Sequence, residues 1–193
     1  MTQKLKICLG MAGLALVIAV AVFAHNALAS RASPADWVAF AEEPAAAQLQ
    51  RAPDFALTDW DGNSLRFSDI LAGGKPVVLN FWASWCPACR NETPGFERVY
   101  RDHGEEVKFV MLNLVDGVRE TLESGQRYIR EGGFTLPVYF DTLQEGLFAY
   151  GIRFLPTTLF IDRAGYVVTG VQGAVNEETL RAIVDFVKQH GNP

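Results

Sequence analysis

The sequence predicts an α/β fold in which helices cover both faces of a central mixed sheet. The first observation is a nearly continuous apolar run at Val77–Trp82, typical of a strand buried on both faces. The second is that helical patterns follow this run and a second apolar run at residues 107–114. The third is a pair of hairpin patterns, one near each end of the folded part.

Composition excludes several classes of protein. The chain has 193 residues and a mass of 21.3 kDa, which suits one domain with a short extension. Apolar residues make up 49% and charged residues 20%, which excludes a disordered chain and a coiled coil. The net charge is -5 and no basic tract is present, so we expect no nucleic-acid partner. Three cysteines are too few for a disulfide scaffold.

Residues 1–29 are typical of an export segment. Lys4 and Lys6 precede an uncharged, mostly apolar run at residues 7–24, and Ala27-Leu28-Ala29 provides a cleavage site near Ala29. The segment is either a cleaved signal or a retained membrane anchor, because 18 residues approach the length of about 20 that spans a bilayer. Cys8 is interpreted as a small apolar residue of this segment. Both alternatives predict an extracytoplasmic location, with a linker at residues 30–50 and a domain at residues 51–190.

The elements of this domain follow from turn residues and periodicity. Asp61-Gly62 separates two strands at residues 55–58 and 64–67, and Ser68-Asp69 is expected to cap a short helical turn. Asn176 is expected to cap the last helix, whose apolar residues are spaced i, i+3, i+4, i+7. The other predicted elements are helices at residues 87–103, 119–130 and 143–150, and strands at 77–82, 107–114, 137–140, 157–162 and 166–171.

Chemistry is indicated by Cys86-Pro87-Ala88-Cys89, directly after the buried strand. At a helix start, residues i and i+3 share a face, so the two sulfurs can reach bonding distance. Unpaired N–H groups and the helix dipole stabilise a thiolate at Cys86, while Cys89 is one turn in and more buried. A structural disulfide across so short a loop stabilises little. A metal site lacks matching ligands, because the histidines (His25, His103 and His190) lie in polar or terminal sequence.

Two segments resemble the TlpA/ResA-type thiol–disulfide oxidoreductases of the thioredoxin fold. They are residues 78–94, VLNFWASWCPACRNETP, and residues 154–162, FLPTTLFID. The resemblance implies that the bond before Pro156 is cis and lies against the cysteine pair, with Leu155 offering backbone hydrogen bonds to substrate. It also implies an N-terminal hairpin and an extra strand–helix insertion at residues 116–150.

The same resemblance implies roles for three further residues. A glutamate at position 92 is partly buried in this family, where it tunes the cysteines and exchanges a proton with Cys89. Asn80 stands where thioredoxins carry a buried aspartate, and an amide cannot act as that base, so the role shifts to Glu92 or water. Trp85 is expected to shield Cys86 from one side.

These features predict a thiol–disulfide oxidoreductase without a cofactor, acting on exported proteins such as an apocytochrome c or a copper-site protein. The Pro-Ala pair supplies no cation to stabilise a thiolate strongly, which favours a reductase fed by an electron donor at the membrane. The alternatives are a disulfide-donating oxidase of the same fold and a Cu(I) chaperone that uses both cysteines as ligands. A peroxidase of the same superfamily is a further alternative, but its cysteine context is absent.

Overall fold

The structure is a computed structural model that describes residues 49–190. Within this range the strands are β1 (Gln50–Arg51), β2 (Ala56–Thr58), β3 (Ser64–Arg66), β4 (Val77–Trp82), β5 (Lys108–Asn113), β6 (Val138–Phe140), β7 (Thr157–Ile161) and β8 (Tyr166–Gln172). The helices are α1 (Phe67–Leu71), α2 (Pro87–His103), α3 (Leu122–Gly132), α4 (Glu145–Ala149) and α5 (Glu177–His190). The expected α/β class is confirmed.

All strands join one mixed sheet in the order β1-β8-β7-β4-β5-β6-β2-β3. Strand β4 lies at its centre, parallel to β5 and antiparallel to β7. Every residue of β4 is buried, which explains why its sequence is a nearly continuous apolar run. The carboxyl end of β4 leads directly into the cysteine motif at the start of α2.

Two apolar clusters, one on each face of the sheet, form the core. Side chains alternate along β4, so Val77, Leu79 and Phe81 enter one cluster while Val78 and Trp82 enter the other. The second cluster also contains the apolar faces of α2 and α5, which pack against each other. Burial of apolar area, at about 25 cal/mol per Å², stabilises this arrangement.

The insertion between β5 and β7 contains α3, β6 and α4, as expected for residues 116–150. Strand β6 is parallel to β5 and antiparallel to β2, so it connects the N-terminal hairpin to the central sheet. The hairpin itself pairs as predicted, with Leu57 opposite Leu65. The insertion therefore widens the sheet on one side.

Strand β1 pairs with β8 at one edge of the sheet. The structure corrects two local predictions. Helix α1 has Arg66 as its N-cap residue, and of the predicted Ser68-Asp69 pair it is Asp69 that contributes to the cap, by accepting the Arg66 N–H. Helix α3 begins at Leu122 rather than at residue 119, because Thr121 and Ser124 form a reciprocal cap.

The predicted export segment at residues 1–29, with Cys8 and His25, lies outside the described residues, as does most of the predicted linker at residues 30–50. In the range 49–190, none of the helices is long and apolar enough to cross a membrane.

Candidate active site

Cys86 and Cys89 form a disulfide at the start of α2, with their Cα atoms 5.3 Å apart. Cys86 is the N-cap residue and Pro87 occupies the first turn, where a missing N–H costs nothing. The Cys86 sulfur accepts the backbone N–H of Cys89 at 3.2 Å. Cys86 is 4% exposed and Cys89 is 1% exposed, and Cys86 is the cysteine of the pair that lines the groove described below.

The helix end supplies the electrostatics that a thiolate at Cys86 requires. The first turn of α2 contains no acidic residue, and the backbone N–H of Cys89 points at the Cys86 sulfur, at the positive end of the helix dipole. These dipoles favour negative charge at Cys86 over Cys89, which is one turn further along the helix. The arrangement makes Cys86 the better nucleophile of the pair once the disulfide is reduced.

The peptide bond between Leu155 and Pro156 is cis, as the resemblance implies. Pro156 is buried, and its carbonyl accepts the N–H of Gly173 at 2.8 Å. Within residues 49–190, the backbone N–H and C=O of Leu155 take part in no hydrogen bond. Leu155 therefore presents a free donor and acceptor beside the cysteine pair.

A groove of about 370 Å³ opens between Cys86 and Leu155. Its lining is mainly apolar and comes from the active-site loop, the insertion and the loop before β7: Trp85, Cys86, Leu114, Asp116, Gln144, Leu147, Ile152, Arg153, Phe154 and Leu155. A second cavity of about 410 Å³ lies between Trp60 and Pro137 and contains neither cysteine. Of these two cavities, the groove of about 370 Å³ is the one that Cys86 lines.

Glu92 lies one turn beyond Cys89 and is buried. Its Oε1 accepts the Asn80 side-chain amide at 2.9 Å, and its Oε2 accepts the Val175 N–H at 2.9 Å. Desolvation raises the pKa of Glu92 to about 7, although these two hydrogen bonds lower it. In the described part of the chain no hydrogen bond joins Glu92 to either sulfur of the disulfide form.

Asn80 is fully buried between Glu92 and β7, where its amide also donates to Thr158 Oγ1 at 2.9 Å. Its Oδ1 has no partner. The amide therefore orients the Glu92 carboxylate through its nitrogen. No sequence pattern indicated that Thr158 contacts Asn80 or that Val175 contacts Glu92. These residues are distant in sequence, and the fold brings them together.

Trp85 is 40% exposed and lies at the mouth of the groove. The guanidinium of Arg119 lies 3.6 Å from its ring centroid. Trp82 is core, as expected, and its ring contacts Tyr128. The insertion therefore contributes a cation to the surface beside Cys86.

Glu120 is a further residue that sequence reasoning missed. It is fully buried and accepts hydrogen bonds from Ser84 N, Ser84 Oγ and Asn113 Nδ2 at 3.0, 2.7 and 2.7 Å. Ser84 precedes Cys86 by two residues, so this carboxylate fixes the active-site loop. The only sequence indication was the polar Asn113 at the end of an apolar strand.

The histidine nearest in sequence to the cysteines among the described residues does not lie beside them. His103 lies at the opposite end of α2, where its Nδ1 is 3.3 Å from Lys188 Nζ. Across residues 49–190, no group of three or more histidine, cysteine, aspartate or glutamate side chains is placed to hold a metal ion.

Comparison with known sequences gives a consistent result. The sequence pattern of the AhpC/TSA family matches residues 49–169. The thiol–disulfide oxidoreductase ResA of Geobacillus kaustophilus is 34% identical over 152 residues, which cover 77% of this chain and 83% of the relative. ResA of Bacillus subtilis is 32% identical over 150 residues, which cover 77% and 80%.

Solved structures agree with the sequence comparison. A thiol:disulfide interchange protein of the thioredoxin family from Chlorobium tepidum superposes with a TM-score of 0.63 and 27% identity, covering 74% of this chain and 98% of the other. The exposed lipoprotein thioredoxin Etrx1 of Streptococcus pneumoniae has a TM-score of 0.58 and 29% identity, covering 69% and 99%. The cysteine pair and the cis-proline loop thus belong to a fold shared with thioredoxin-family proteins.

Proposed function

Because this chain belongs to the AhpC/TSA family and to the ResA-type thiol–disulfide oxidoreductases, we propose that it reduces disulfide bonds of exported proteins. The observation that carries this proposal is the placement of Cys86 at the N-terminus of α2, facing the groove beside Leu155. The direction of electron flow is the part that goes beyond family membership. It is supported by the neutral Pro-Ala pair between the cysteines and by the buried Glu92.

The reaction proceeds by two thiol–disulfide exchanges. The Cys86 thiolate attacks one sulfur of the partner disulfide, which forms a mixed disulfide and releases a partner thiolate. Deprotonated Cys89 then attacks the Cys86 sulfur. The second partner thiolate leaves with the electron pair of the broken mixed disulfide bond. Both partner sulfurs are then reduced to thiolates, and Cys86 and Cys89 are oxidised to the disulfide.

Glu92 serves as the proton acceptor for Cys89 in this scheme. A pKa of about 7 suits a group that must take a proton at neutral pH and release it again. Glu92 and Cys89 lie three residues apart on one face of α2, although the disulfide form shows no direct bond between them. Transfer therefore runs through water or through a small rearrangement after reduction.

Substrate binds as an extended segment against the cis-proline loop. The unpaired backbone N–H and C=O of Leu155 form hydrogen bonds with the backbone of this segment, as between neighbouring strands. Pro156 keeps the loop against the cysteine pair. Trp85 forms the opposite wall, and the apolar groove receives side chains next to the substrate cysteine.

Apocytochrome c and copper-site proteins are the substrates that we propose, with an electron donor at the membrane and no cofactor besides the disulfide. The extracytoplasmic location rests on the export pattern of residues 1–29 and on the similarity to a protein described as an exposed lipoprotein. If residues 1–29 are retained, they attach the domain to the membrane.

The decisive experiment is the reduction potential of the Cys86–Cys89 pair, measured by equilibration with defined thiol buffers. A value near that of thioredoxin, about -270 mV, supports a reductase. A value near about -120 mV overturns the proposed direction and makes the protein a disulfide donor. Stoichiometric copper in the reduced protein would instead support the Cu(I) chaperone.

Trapping of the mixed disulfide tests the roles of the two cysteines. C89S is expected to accumulate a covalent complex with a protein disulfide, because the resolving thiol is gone, whereas C86S is expected to form none. C8S is the matched control, because it removes the third cysteine and leaves the pair intact. Trapping by C86S in place of C89S would reverse the assignment.

A further inference from the structure

The loop between β5 and α3 (residues 114–121) contacts both residues that precede Cys86. Glu120 accepts the Ser84 N–H and hydroxyl, and the guanidinium of Arg119 lies on the Trp85 ring. Two successive residues of the insertion thus hold two successive residues of the active-site loop. They carry opposite charges, and their surroundings differ, because Glu120 is fully buried and Arg119 is exposed.

The loop that carries this pair is itself held in one conformation. Asp116 Oδ1 accepts the N–H groups of Val118, Arg119 and Glu120 at 2.8, 2.7 and 2.9 Å. The backbone N–H of Asp116 also donates to the Glu120 carbonyl at 3.1 Å. The hydrogen-bonded backbone of this loop therefore helps to set the positions of the Arg119 and Glu120 charges.

The hydrogen bonds around Glu120 suit a negatively charged carboxylate. All three contacts, from Ser84 N, Ser84 Oγ and Asn113 Nδ2, are made by groups that can donate. Among the ion pairs of residues 49–190, none includes Glu120. An anion beneath the active-site loop is thus stabilised by dipoles and is not neutralised by a paired cation.

We propose that Glu120 and Arg119 are positioning residues that hold the active-site loop and set the acidity of the Cys86 thiol with opposite sign. This rests on the proposed function, because it requires Cys86 to be the attacking thiol. The buried charge of Glu120 opposes a thiolate at Cys86, which keeps the reduced pair strongly reducing. Arg119 favours the thiolate, but solvent and salt screen its exposed charge.

Other charged groups face the same loop and must remain unchanged in a test. Arg90 Nη1 is 3.4 Å from the Ser84 carbonyl, and Asp116 and Arg153 line the groove. Glu92 is buried on the next turn of α2. Single substitutions at positions 119 and 120 leave all four of these groups in place.

The variant E120Q separates charge from shape. A glutamine keeps an oxygen that accepts from Ser84 N and Asn113, and its new amide nitrogen can donate to the Ser84 hydroxyl, which also accepts. The three contacts can therefore persist while the negative charge is lost. R119M keeps an apolar contact with Trp85 and removes the positive charge.

The experiment is the pH dependence of alkylation of Cys86 by iodoacetamide in the reduced full-length protein. We expect E120Q to lower the midpoint by at least half a pH unit, a threefold increase in thiol acidity. We expect R119M to raise the midpoint by a smaller amount, and 1 M salt to abolish only the R119M shift. E97Q is the matched control, because Glu97 is a buried carboxylate of α2 that bonds Thr135 and Leu136 away from the cysteines.

An E120Q midpoint equal to that of the wild type or of E97Q would overturn the proposal. If E120Q does not fold, R119M decides, since an unchanged midpoint there would contradict the electrostatic role. Measured above the midpoint, the potential of E120Q should rise by at least the same threefold factor, about 14 mV. If alkylation of Cys86 in the wild-type protein does not depend on pH, and the wild-type protein does not exchange with disulfides, the proposed function would be overturned instead.

Discussion

Glu92 and Glu97 lie on the same helix, both are buried, and their pKa values shift in opposite directions. Desolvation raises the pKa of Glu92 to about 7. Desolvation also acts on Glu97, but the hydrogen bonds from Thr135, Leu136 and Arg101 outweigh it and lower the pKa of that carboxyl. A small exposed fraction therefore does not decide the protonation state by itself; the depth of burial and the number and charge of the donors decide it together.

The two glutamates lie at different positions along α2 and contact different parts of the fold. Glu97 binds the loop before β6 through Thr135 N, Thr135 Oγ1 and Leu136 N at 2.8, 2.7 and 3.0 Å. Glu92 has two donors and lies one turn from the cysteine pair. Glu97 accepts hydrogen bonds from several donors and so maintains the structure of the loop before β6. Glu92 accepts fewer hydrogen bonds and has a raised pKa, which makes proton transfer feasible.

The largest effect is expected from E97A. Removing this carboxylate leaves two backbone N–H groups without an acceptor and Arg101 without its ion pair, which should lower the free energy of unfolding by about 4 kcal/mol. Urea denaturation of the oxidised protein measures this change. The reduction potential should stay at the wild-type value, and a stability loss below about 1 kcal/mol would contradict the assigned role.

E92Q should have the next largest effect and the opposite sign. Because the folded pKa of Glu92 is raised above the unfolded value of 4.5, wild-type stability is lost as pH rises through about 7. The neutral variant avoids this loss, so it should be more stable at pH 8 by on the order of 3 kcal/mol and equal at pH 4. Denaturant unfolding at both pH values tests it; a difference that does not depend on pH would contradict the raised pKa.

T158V tests whether β7 orients the Asn80 amide. Thr158 Oγ1 accepts from Asn80 in a fully buried position, so its loss should cost about 1 kcal/mol at pH 5, where Glu92 is protonated. The pKa of Glu92, which desolvation raises to about 7, should shift in the variant because Asn80 is then free to turn, so the stability loss at pH 8 should differ from that at pH 5. An unshifted midpoint by carboxyl NMR would show that Glu92 is oriented by Val175 alone.

R101M should give the smallest change. Arg101 is exposed, so its ion pair with Glu97 should contribute less than about 1 kcal/mol. The pKa of Glu97 should stay below its usual value because the Thr135 and Leu136 donors remain. A rise of that pKa to the level of Glu92 would mean that the cation, rather than the backbone donors, separates the two glutamates.

Most of the fold followed from local sequence. The runs at β4 and β5, the Asp61-Gly62 hairpin and the Asn176 cap were predicted from residues that interact within a few positions of each other. The start of α3 was placed three residues early, because a helical period does not show where a cap lies. Thr121 and Ser124 form that cap, and Asp116 turns the preceding residues into a loop.

The sequence predicted those residues of the candidate site that are close to each other in the chain, and those that the resemblance to a known family implied. Cys86 and Cys89 bond across one turn, and the bond before Pro156 is cis. Glu120 was placed in a helix by periodicity, whereas it lies in a loop and binds Ser84, 36 residues away along the chain. No local pattern encodes a contact of that separation.

The sequence by itself determined the strand–helix order, the cysteine pair at a helix N-terminus and the family, because each depends on spacing within one turn or one strand. The tertiary structure alone decided which buried glutamate is satisfied and which is not. That difference arises because, within residues 49–190, β4 and the segment before α5 bring two donors, Asn80 and Val175, to Glu92, while the segment before β6 brings three donors to Glu97. Desolvation is set by what packs around a group, and packing is a property of the folded chain.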